Sequence, residues 1–248
     1  MTNLVSIIMP SYDSEKFIAK SINSALSQTY SNLELIIVDD CSFDNSNDII
    51  EQYAKQDSRV KLIKLDQNSG PAVARNKAIE SANGDYIAFL DSDDLWDKDK
   101  IEKQLKFMQD NDLAFTYSSY RLIDEDDKEL GNFTTTPEVT YENLLKTNSI
   151  GCLTAIYDVK KLGKVYMPLI LKRQDYGLWL KILKQINSSK GILDSLATYR
   201  IRKNSVSSNK LKAAKYQWKI YTEVEKLGII KSSYYFIHYA INGIFKYK

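Results

Sequence analysis

Three carboxylates stand within four positions at the end of a short apolar run. Asp91, Asp93 and Asp94 follow directly on residues 86–90, and an apolar run of that length is typical of a buried strand. Acids at the carboxyl end of such a strand lie where open α/β sheets bind ligands. Their charges repel one another, and a hard divalent cation such as Mg²⁺ or Mn²⁺ relieves the repulsion while it accepts phosphate oxygens. The residues therefore favour a metal–diphosphate site, with helix capping as the alternative, above all for Asp94.

A second acidic pair, Asp39 and Asp40, ends the apolar run at residues 33–38. A carboxylate at this edge of a nucleotide site can accept the imide N–H of uracil, and the alternative is that both acids cap a turn or a helix. Farther along, Gly70 and a following proline open a predicted helix, whose N-terminus favours anions. Arg75 in that helix is placed to pair with a phosphate or with one of the clustered acids, unless it is an ordinary surface arginine.

Two polar sites stand out in the second half of the chain. Asp175 begins an amphipathic helix predicted over residues 175–186, where it is either a helix N-cap or a general base. Residue type and position alone favour the cap. Residues 199–205 form a basic segment after a predicted strand, and they fit either a lid over a diphosphate or a solvated basic face.

The composition excludes several classes of protein. The chain has 248 residues, 44% of them hydrophobic, which suffices for one substantial core with an extension. Cys41 and Cys152 stand in no metal-ligand spacing, so we expect a reducing, cytoplasmic location. The N-terminus lacks the pattern of a signal peptide, and no run reaches the roughly 18 uncharged apolar residues of a transmembrane helix. Glycine-rich dinucleotide motifs, phosphate loops and serine elbows are absent from the sequence.

Charge is distributed unevenly along the chain. Residues 200–248 contain eleven Lys and Arg against Glu223 and Glu225, a charge of +9, so the first 199 residues carry −7 within the net +2. An acidic body argues against a nucleic-acid-binding surface. The basic tail has apolar residues at helical spacing. We expect residues 229–248 either to contact the inner face of the plasma membrane peripherally or to dock on the body or in a homodimer.

Apolar runs alternate with helical periods along the first half. Strands are predicted at residues 5–9, 33–38, 60–65 and 86–90, and helices at residues 15–28, around 49–54, 71–82 and 98–109. Repeats of roughly 25–30 residues predict βαβ units in an α/β, doubly wound, mainly parallel sheet with helices on both faces. The ends of the first, second and fourth strands should then share one edge. Gly84 is predicted to end the third helix.

The second half is less regular. Strands are predicted at residues 114–120, 153–157 and 192–201, and helices at residues 141–146, 175–186, 209–228 and 229–245.

Four segments, in this order and spacing, resemble the family 2 glycosyltransferases, which have the GT-A fold. They are residues 6–13, 36–44, 68–76 and 84–96, and the resemblance extends over residues 5–208. It implies transfer of one sugar, with inversion at the anomeric carbon, from a nucleotide-sugar donor, UDP-linked, to a hydroxyl of a glycan or lipid-linked acceptor in bacterial surface-polysaccharide synthesis. The Gln-x-x-Arg-Trp motif of processive synthases is missing, which favours transfer of a single sugar.

The resemblance also implies roles for individual residues. Asp175 corresponds to the catalytic base, and Asp93, together with Asp91, to the ligands of Mn²⁺ or Mg²⁺. The positions implied in nucleotide-sugar binding are Pro10, Ser11, Tyr12, Asp40, Gly70, Arg75, Asp91, Ser92, Arg200 and Arg202. The chain departs from the family pattern at Asp13, where Asn is usual, at Gln174, where an acid is usual, and at Arg202, where His is frequent.

The predicted organisation is one GT-A domain followed by a tail. The domain comprises residues 1–208, with a nucleotide-sugar-binding half at 1–112 and an acceptor-binding half at 113–208, and the basic amphipathic helical tail comprises residues 209–248. One alternative function is a haloacid-dehalogenase-like phosphohydrolase with Asp91 as nucleophile, although such enzymes usually carry the acid pair on their first strand. The other is a non-catalytic nucleotide-sugar-binding protein, which the presence of both Asp93 and Asp175 argues against.

Overall fold

A single mixed sheet runs through the protein in its computed structural model, which describes residues 3–202 and 210–245. Its strands in chain order are β1 (Val5–Ser11), β2 (Leu33–Asp39), β3 (Val60–Lys64), β4 (Tyr86–Phe89), β5 (Leu95–Trp96), β6 (Phe115–Ile123), β7 (Glu129–Phe133), β8 (Glu138–Thr140), β9 (Ile156–Asp158) and β10 (Ser188–Arg200). Their spatial order is β3-β2-β1-β4-β9-β6-β10-β5, with β7 beside β6 and β8 beside β10.

Helices cover both faces of this sheet. They are α1 (Ile18–Leu26), α2 (Ser46–Gln56), α3 (Pro71–Ser81), α4 (Lys100–Asp110), α5 (Tyr141–Lys146), α6 (Val159–Leu162), α7 (Gln174–Leu183), α8 (Lys210–Lys219) and α9 (Ile229–Phe245). None of the helices in the described part of the chain is both long enough and apolar enough to cross a bilayer.

The first four strands are all parallel, with β1 in the middle. β1 pairs with β2 on one side and β4 on the other, and β2 continues to β3. Because parallel strands end at the same edge, the residues that follow β1, β2 and β4 meet there, as the alternating sequence pattern predicts. From β9 onward the sheet is mixed, since only β6 and β10 pair in parallel. The α/β expectation is confirmed.

Strand alternation divides the core into two layers. Ile8 on β1 and Ile36 on β2 lie on the face covered by α3 and α7, while Ile7 and Leu35 lie on the face covered by α1, α2 and α4. Trp179 of α7 is fully buried on the first face, where its ring stacks on Phe115 and meets the edge of Phe89. This packing fixes α7 against the strands that carry the acidic cluster.

Several local expectations were incomplete. The short strands β5, β7 and β8 were not predicted, and residues 153–157 are a 3₁₀ turn (Cys152–Thr154) followed by β9 rather than one strand. The predicted tail helix divides into α8 and a π-helical turn (Ile220–Val224), after which Gly228 takes a left-handed backbone at φ 73°. Asn209 and the domain boundary at residue 208 lie outside the described residues, and the boundary at residue 112 stays a prediction.

Gly84 has a different function from the one predicted. α3 ends at Ser81 and its cap is the extended Ala82, so Gly84 does not terminate the helix. Instead its N–H donates to Ser6 Oγ at 2.8 Å, and a Cβ there would lie 2.6 Å from the Ser6 backbone nitrogen. Real Cβ atoms do not approach backbone so closely, so the start of β4 passes β1 where only glycine fits.

Gly84→Ala should destabilise the protein by about 1–3 kcal/mol, because the added methyl forces β4 away from β1. Urea unfolding followed by circular dichroism measures the change. Asn83→Ala is the matched control, because Asn83 is exposed beside it, and its effect should stay within about 0.5 kcal/mol. Equal stability of Gly84→Ala and wild type would contradict the close contact.

Candidate functional site

The loops after β1 and β2 are locked together at the shared edge. Asp13 donates its N–H to Ser42 Oγ at 3.0 Å and accepts the N–H of Phe43 at 2.9 Å. Asp13 and Cys41 both have left-handed backbones, at φ 43° and 64°, which non-glycine residues adopt only when their surroundings hold them. The two loops thus form one rigid surface, residues 10–14 and 39–43, which we call the ledge.

Three predicted nucleotide-binding residues belong to this ledge. Pro10 is half-buried, Ser11 is buried with its hydroxyl 2.9 Å from that of Ser14, and the ring of Tyr12 is 42% exposed. An exposed aromatic ring at the end of a parallel strand can stack on a base. Ser11 shapes the turn beneath it.

Asp39 and Asp40 have separate partners. Asp39 accepts from the backbone and hydroxyl of Ser42, so the turn-capping alternative describes it correctly. Asp40 accepts the N–H of Ser69 at 2.7 Å and that of Gly70 at 2.8 Å, which ties β2 to the loop that opens α3. Gly70 precedes α3 with φ 88°. A carboxylate has about four lone-pair sites, so Asp40 keeps acceptor capacity for a ligand N–H. Its contact with uracil stays a prediction.

The acids after β4 form a turn in which each carboxylate meets a different arginine. Asp91 pairs with Arg75 at 2.5 Å, and Asp93 pairs with Arg202 at 3.2 Å. Asp94 closes the turn by donating its N–H to the Asp91 carbonyl at 3.1 Å. Arg75 is only 7% exposed, so the surface-arginine alternative is wrong and the pairing with an acid is correct. Ser92, which stands between Asp91 and Asp93 in the sequence, is buried.

Asp94 does not cap α4. Its side chain is 1% exposed and accepts the backbone N–H of Arg200 at 2.8 Å, while α4 starts only after Asp99. Burial, reinforced by the charges of Asp93 and Asp91, raises the pKa of Asp94 well above its ordinary value. The pKa of Asp93 is also raised, first by burial and then by Asp91, although Arg202 opposes the shift.

These carboxylates fit a divalent cation that binds together with its substrate. The raised pKa values show that the negative charges of Asp93 and Asp94 are poorly compensated by the protein alone. Within residues 3–202 and 210–245, no three acidic, histidine or cysteine side chains are grouped so that they could enclose a metal. Mg²⁺ and Mn²⁺ sites of nucleotide enzymes commonly use one or two carboxylates and complete their coordination with phosphate oxygens and water. Asp93 and Asp91 suit that arrangement.

Arg200 connects the acidic turn to the rest of the sheet. It is 2% exposed and donates from Nε to the Asp93 carbonyl at 2.9 Å and from Nη1 to Asp127 Oδ1 at 2.6 Å. Its guanidinium also lies 4.7 Å from the centre of the Phe17 ring. Arg200 thus holds the backbone of the turn, whereas Arg202, 33% exposed at its side chain, is the arginine that pairs with the Asp93 carboxylate. Lys203, Asn204 and Ser205 of the same basic segment lie outside the described residues.

Asp175 lies inside α7 rather than at its cap. The residue before the helix is Arg173, in a left-handed backbone at φ 66°, and no side chain caps the helix, so the cap prediction is wrong. Burial lowers the pKa of Arg75, whereas the negative charges of Asp91 and Asp175 raise it. The net effect is a raised pKa. The same two acids also act on the half-buried Cys152. Asp91 and Asp175, far apart in sequence, therefore both lie within electrostatic range of Arg75 and Cys152.

Two supporting residues carry no signal in the sequence. Arg173 donates to the hydroxyl of Tyr239 at 2.9 Å and lies 5.4 Å from the centre of its ring, so α9 holds the start of α7. Cys152 enters the site because the 3₁₀ turn brings it there, and burial raises the pKa of its thiol well above the ordinary value. Neither residue stands in a recognisable motif, and only tertiary packing reveals them.

A buried lysine supports the turn that carries Cys152. Trp96 Nε1 donates to the Leu153 carbonyl at 2.7 Å, and Gln104 Nε2 donates to the Thr154 carbonyl at 2.9 Å. Lys100 is fully buried, donates to Gln104 Oε1 at 2.5 Å and lies 4.2 Å from the centre of the Trp96 ring. Burial lowers the pKa of Lys100 well below its ordinary value of 10.5.

Stability should therefore depend on pH through Lys100. Because its pKa is lowered in the folded state, this amine releases its proton at a lower pH in the folded protein than in the unfolded chain. Releasing this proton on folding costs free energy, and the cost falls as the pH rises from the pKa of the folded state towards the ordinary value of 10.5. Relative to Lys100→Met, wild type should gain up to about 1.4 kcal/mol of unfolding free energy per pH unit in this window. Urea titrations at pH 7, 8 and 9 measure the gain.

The matched control is Lys106→Met, on the exposed side of α4. Its difference from wild type should stay constant over the same pH range. If the Lys100→Met difference is also constant, the lowered pKa of Lys100 in the folded protein is refuted.

Comparison with known proteins places the chain among sugar-transferring enzymes. The profile of the family described as "Glycosyl transferase family 2" matches residues 6–159. The Bacillus subtilis glycosyltransferase named for teichuronic acid biosynthesis, TuaG, is 47% identical over 99% of this chain and 99% of its own length. The Escherichia coli protein named UDP-Glc:alpha-D-GlcNAc-diphosphoundecaprenol beta-1,3-glucosyltransferase WfgD is 41% identical over 98% of this chain and 95% of its own.

Solved structures share the GT-A fold that the sequence predicts. TarS 1-349 of S. aureus in complex with UDP superposes with a TM-score of 0.67 at 27% identity, over 79% of this chain and 60% of that one. The mannosyltransferase PcManGT from Pyrobaculum calidifontis, in complex with GDP-Man and Mn²⁺, gives a TM-score of 0.71 at 18% identity, over 91% of this chain and 65% of that one.

Proposed function

Because this chain belongs to glycosyl transferase family 2, we propose that it transfers one sugar from a UDP-sugar to a hydroxyl of a lipid-linked glycan, with inversion at the anomeric carbon. That the chain is a glycosyltransferase follows from its full-length similarity to named enzymes. The observation that supports the mechanism is that Asp91 is bound to the buried Arg75, while Asp175 lies near enough to the same guanidinium to influence it electrostatically. One acid belongs to the turn that would hold the leaving group, and the other would act on the acceptor.

The donor side is built from the ledge and the start of α3. Tyr12 offers an exposed ring on which the base could stack. Asp40 and Gly70, joined by a hydrogen bond, would contact the uracil and ribose. The complex of TarS with UDP, and the UDP-Glc in the name of WfgD, support a uridine donor. The fixed backbone of this region means that little reorganisation is required when a nucleotide binds.

The acidic turn would hold the diphosphate through a cation. Asp93, assisted by Asp91, would bind Mn²⁺ or Mg²⁺, which when bound supplies Lewis-acid stabilisation of the departing diphosphate. The Mn²⁺ in the PcManGT complex shows that a protein of this fold holds such an ion. Arg202 lies against Asp93 with a partly exposed guanidinium, so it can turn towards the phosphate oxygens and balance their charge. Arg200 keeps the turn in place behind it.

Asp175 would take the proton of the acceptor hydroxyl. Its carboxylate is half-exposed in the first turn of α7, where the helix dipole favours negative charge. Deprotonation makes the hydroxyl oxygen a better nucleophile as it attacks the anomeric carbon on the face opposite the diphosphate. The bond to the diphosphate oxygen breaks as the new glycosidic bond forms, and inversion results.

The alternatives find less support. A phosphohydrolase of the haloacid-dehalogenase type would carry Asp91 at the end of its first strand, but Asp91 follows the fourth strand. The relatives are named glycosyltransferases, which favours transfer over hydrolysis and over mere binding. A phosphoaspartate trapped on Asp91 would establish the phosphohydrolase instead.

Asp175→Asn should reduce the turnover number by about 10²–10⁴-fold, because the amide cannot accept the proton. Binding of UDP with Mn²⁺, measured by calorimetry, should be unchanged, since Asp175 is not placed on the donor side. Asp48→Asn is the matched control, because Asp48 is an exposed acid in the first turn of α2. Transfer at the wild-type rate by Asp175→Asn would show that another group is the base.

The donor and the metal can be identified by thermal stability. A ligand that binds only the folded protein at 100 times its dissociation constant stabilises it by about 2.7 kcal/mol. We expect UDP-sugars with Mn²⁺ to raise Tm more than GDP- or dTDP-sugars, and Asp93→Asn to remove the metal-dependent part. Asp126→Asn, an exposed acid in the β6–β7 turn, should behave as wild type. If the Tm increase of Asp93→Asn responds to Mn²⁺ as wild type does, Asp93 is not the metal ligand.

A further inference from the structure

α9 has apolar residues on two opposite faces. The inner face packs on the body, where Ser232 is fully buried, Tyr235 and Phe236 join the main core, and Asn242 donates to the Lys146 carbonyl. The outer face points to solvent at helical spacing. Its exposed residues are Ile230 (87%), Tyr234 (50%), Ile237 (58%) and Ile241 (46%). Three exposed isoleucines and a tyrosine on one helix form an unusually apolar surface.

The charge around this surface is positive. Lys231 is the single Lys or Arg within Ile229–Phe245, which contains no acid, and Lys226 is exposed just before the helix. Residues 210–248, which begin with α8, contain eight Lys against Glu223 and Glu225, a charge of +6, whereas the preceding 209 residues carry −4. An anionic surface therefore attracts the end of the molecule that carries α9 and repels the remainder.

We propose that the outer face of α9 binds an anionic lipid bilayer, with the helix lying in the plane of the membrane interface. Isoleucine side chains enter the boundary between head groups and acyl chains, tyrosine rings are favoured at that depth, and neighbouring lysines reach the lipid phosphates. The inner face stays packed on the body, so the domain is held at the surface without unfolding the tail. Each lysine near an anionic leaflet adds to the attraction.

A second copy of the chain fits this face less well. A two-fold contact between two outer faces would bring together two C-terminal segments, residues 210–248, that each carry +6, and α9 has no acid to compensate the lysines. An anionic lipid surface supplies the missing negative charge. The observations therefore favour the bilayer over a homodimer through α9.

Membrane contact would also position the active site. The inner face of α9 holds Arg173 through Tyr239, and Asp175 follows two residues later. This use of the contact rests on the proposed function, since a lipid-linked acceptor presents its hydroxyl near the head groups. Binding to vesicles does not rest on it, so the two can fail separately.

The test is co-sedimentation of the full chain with vesicles of phosphatidylcholine, with and without phosphatidylglycerol. Wild type should bind the anionic vesicles and much less the neutral ones. The double variant Ile230→Ser with Ile237→Ser should lower the partition coefficient at least about tenfold, because it removes apolar groups that enter the interface. Both side chains are exposed in the free protein, so Tm should not fall. Lys226→Gln with Lys231→Gln should weaken binding and reduce its dependence on salt.

The matched control is Leu130→Ser with Leu193→Ser, which removes two leucines that are 49% and 54% exposed on β7 and β10. Its partition should equal that of wild type. Unchanged binding by the isoleucine variant would overturn the proposal. So would a wild-type dimer, measured by light scattering, that the isoleucine variant converts to a monomer while neither binds vesicles. Transfer to a water-soluble acceptor should be equal in wild type and the isoleucine variant, and loss of all transfer with vesicle binding intact would refute the proposed function alone.

Discussion

Repulsion between the carboxylates after β4 is the constraint on which the rest of the site depends. Asp91, Asp93 and Asp94 stand too close together to be buried without compensation, and each meets a separate donor. Those donors come from distant parts of the chain: Arg75 from α3, and Arg202 and the backbone of Arg200 from the end of β10. Compensating the acids therefore joins the parallel half of the sheet to the mixed half. The pKa values of Asp93 and Asp94 remain raised even so, which leaves the turn ready to accept more positive charge.

Arg200 and Arg202, at the end of β10 and just after it, contribute in different ways to stabilising the acidic turn. Arg200 is enclosed, with its guanidinium bound to the Asp93 carbonyl and Asp127 and lying on the Phe17 ring, so it cannot leave without breaking the turn. Arg202 is partly exposed and touches the Asp93 carboxylate. A buried arginine that holds the turn, Arg200, and a more accessible arginine, Arg202, thus stand two residues apart. That arrangement allows the charge at Asp93 to be exchanged while the backbone of the turn keeps its shape.

Sequence reasoning recovered the parallel half because its information is local. Buried parallel strands are continuous apolar runs, their helices keep one period, and the edge where β1, β2 and β4 end follows from the direction of the strands. Sequence reasoning failed where the local structure depends on contacts with residues that are distant in the sequence. β5 has only two residues and exists because β10 pairs with it, and Gly84 is required by the approach of β1. Asp175 has an N-cap pattern, but the left-handed Arg173 takes the residue before the helix. Contacts across the fold carry no local signature.

The tail therefore belongs to the site rather than to a separate appendage. A left-handed backbone at an arginine costs about 1–2 kcal/mol unless its surroundings offset it. At Arg173 the offset comes from α9, through a hydrogen bond to Tyr239 and contact with its ring. If α9 were detached, Arg173 would be free to relax, and α7 would begin differently two residues before Asp175. The start of the helix that carries Asp175 is thus held in place by α9, which lies more than fifty residues later in the chain.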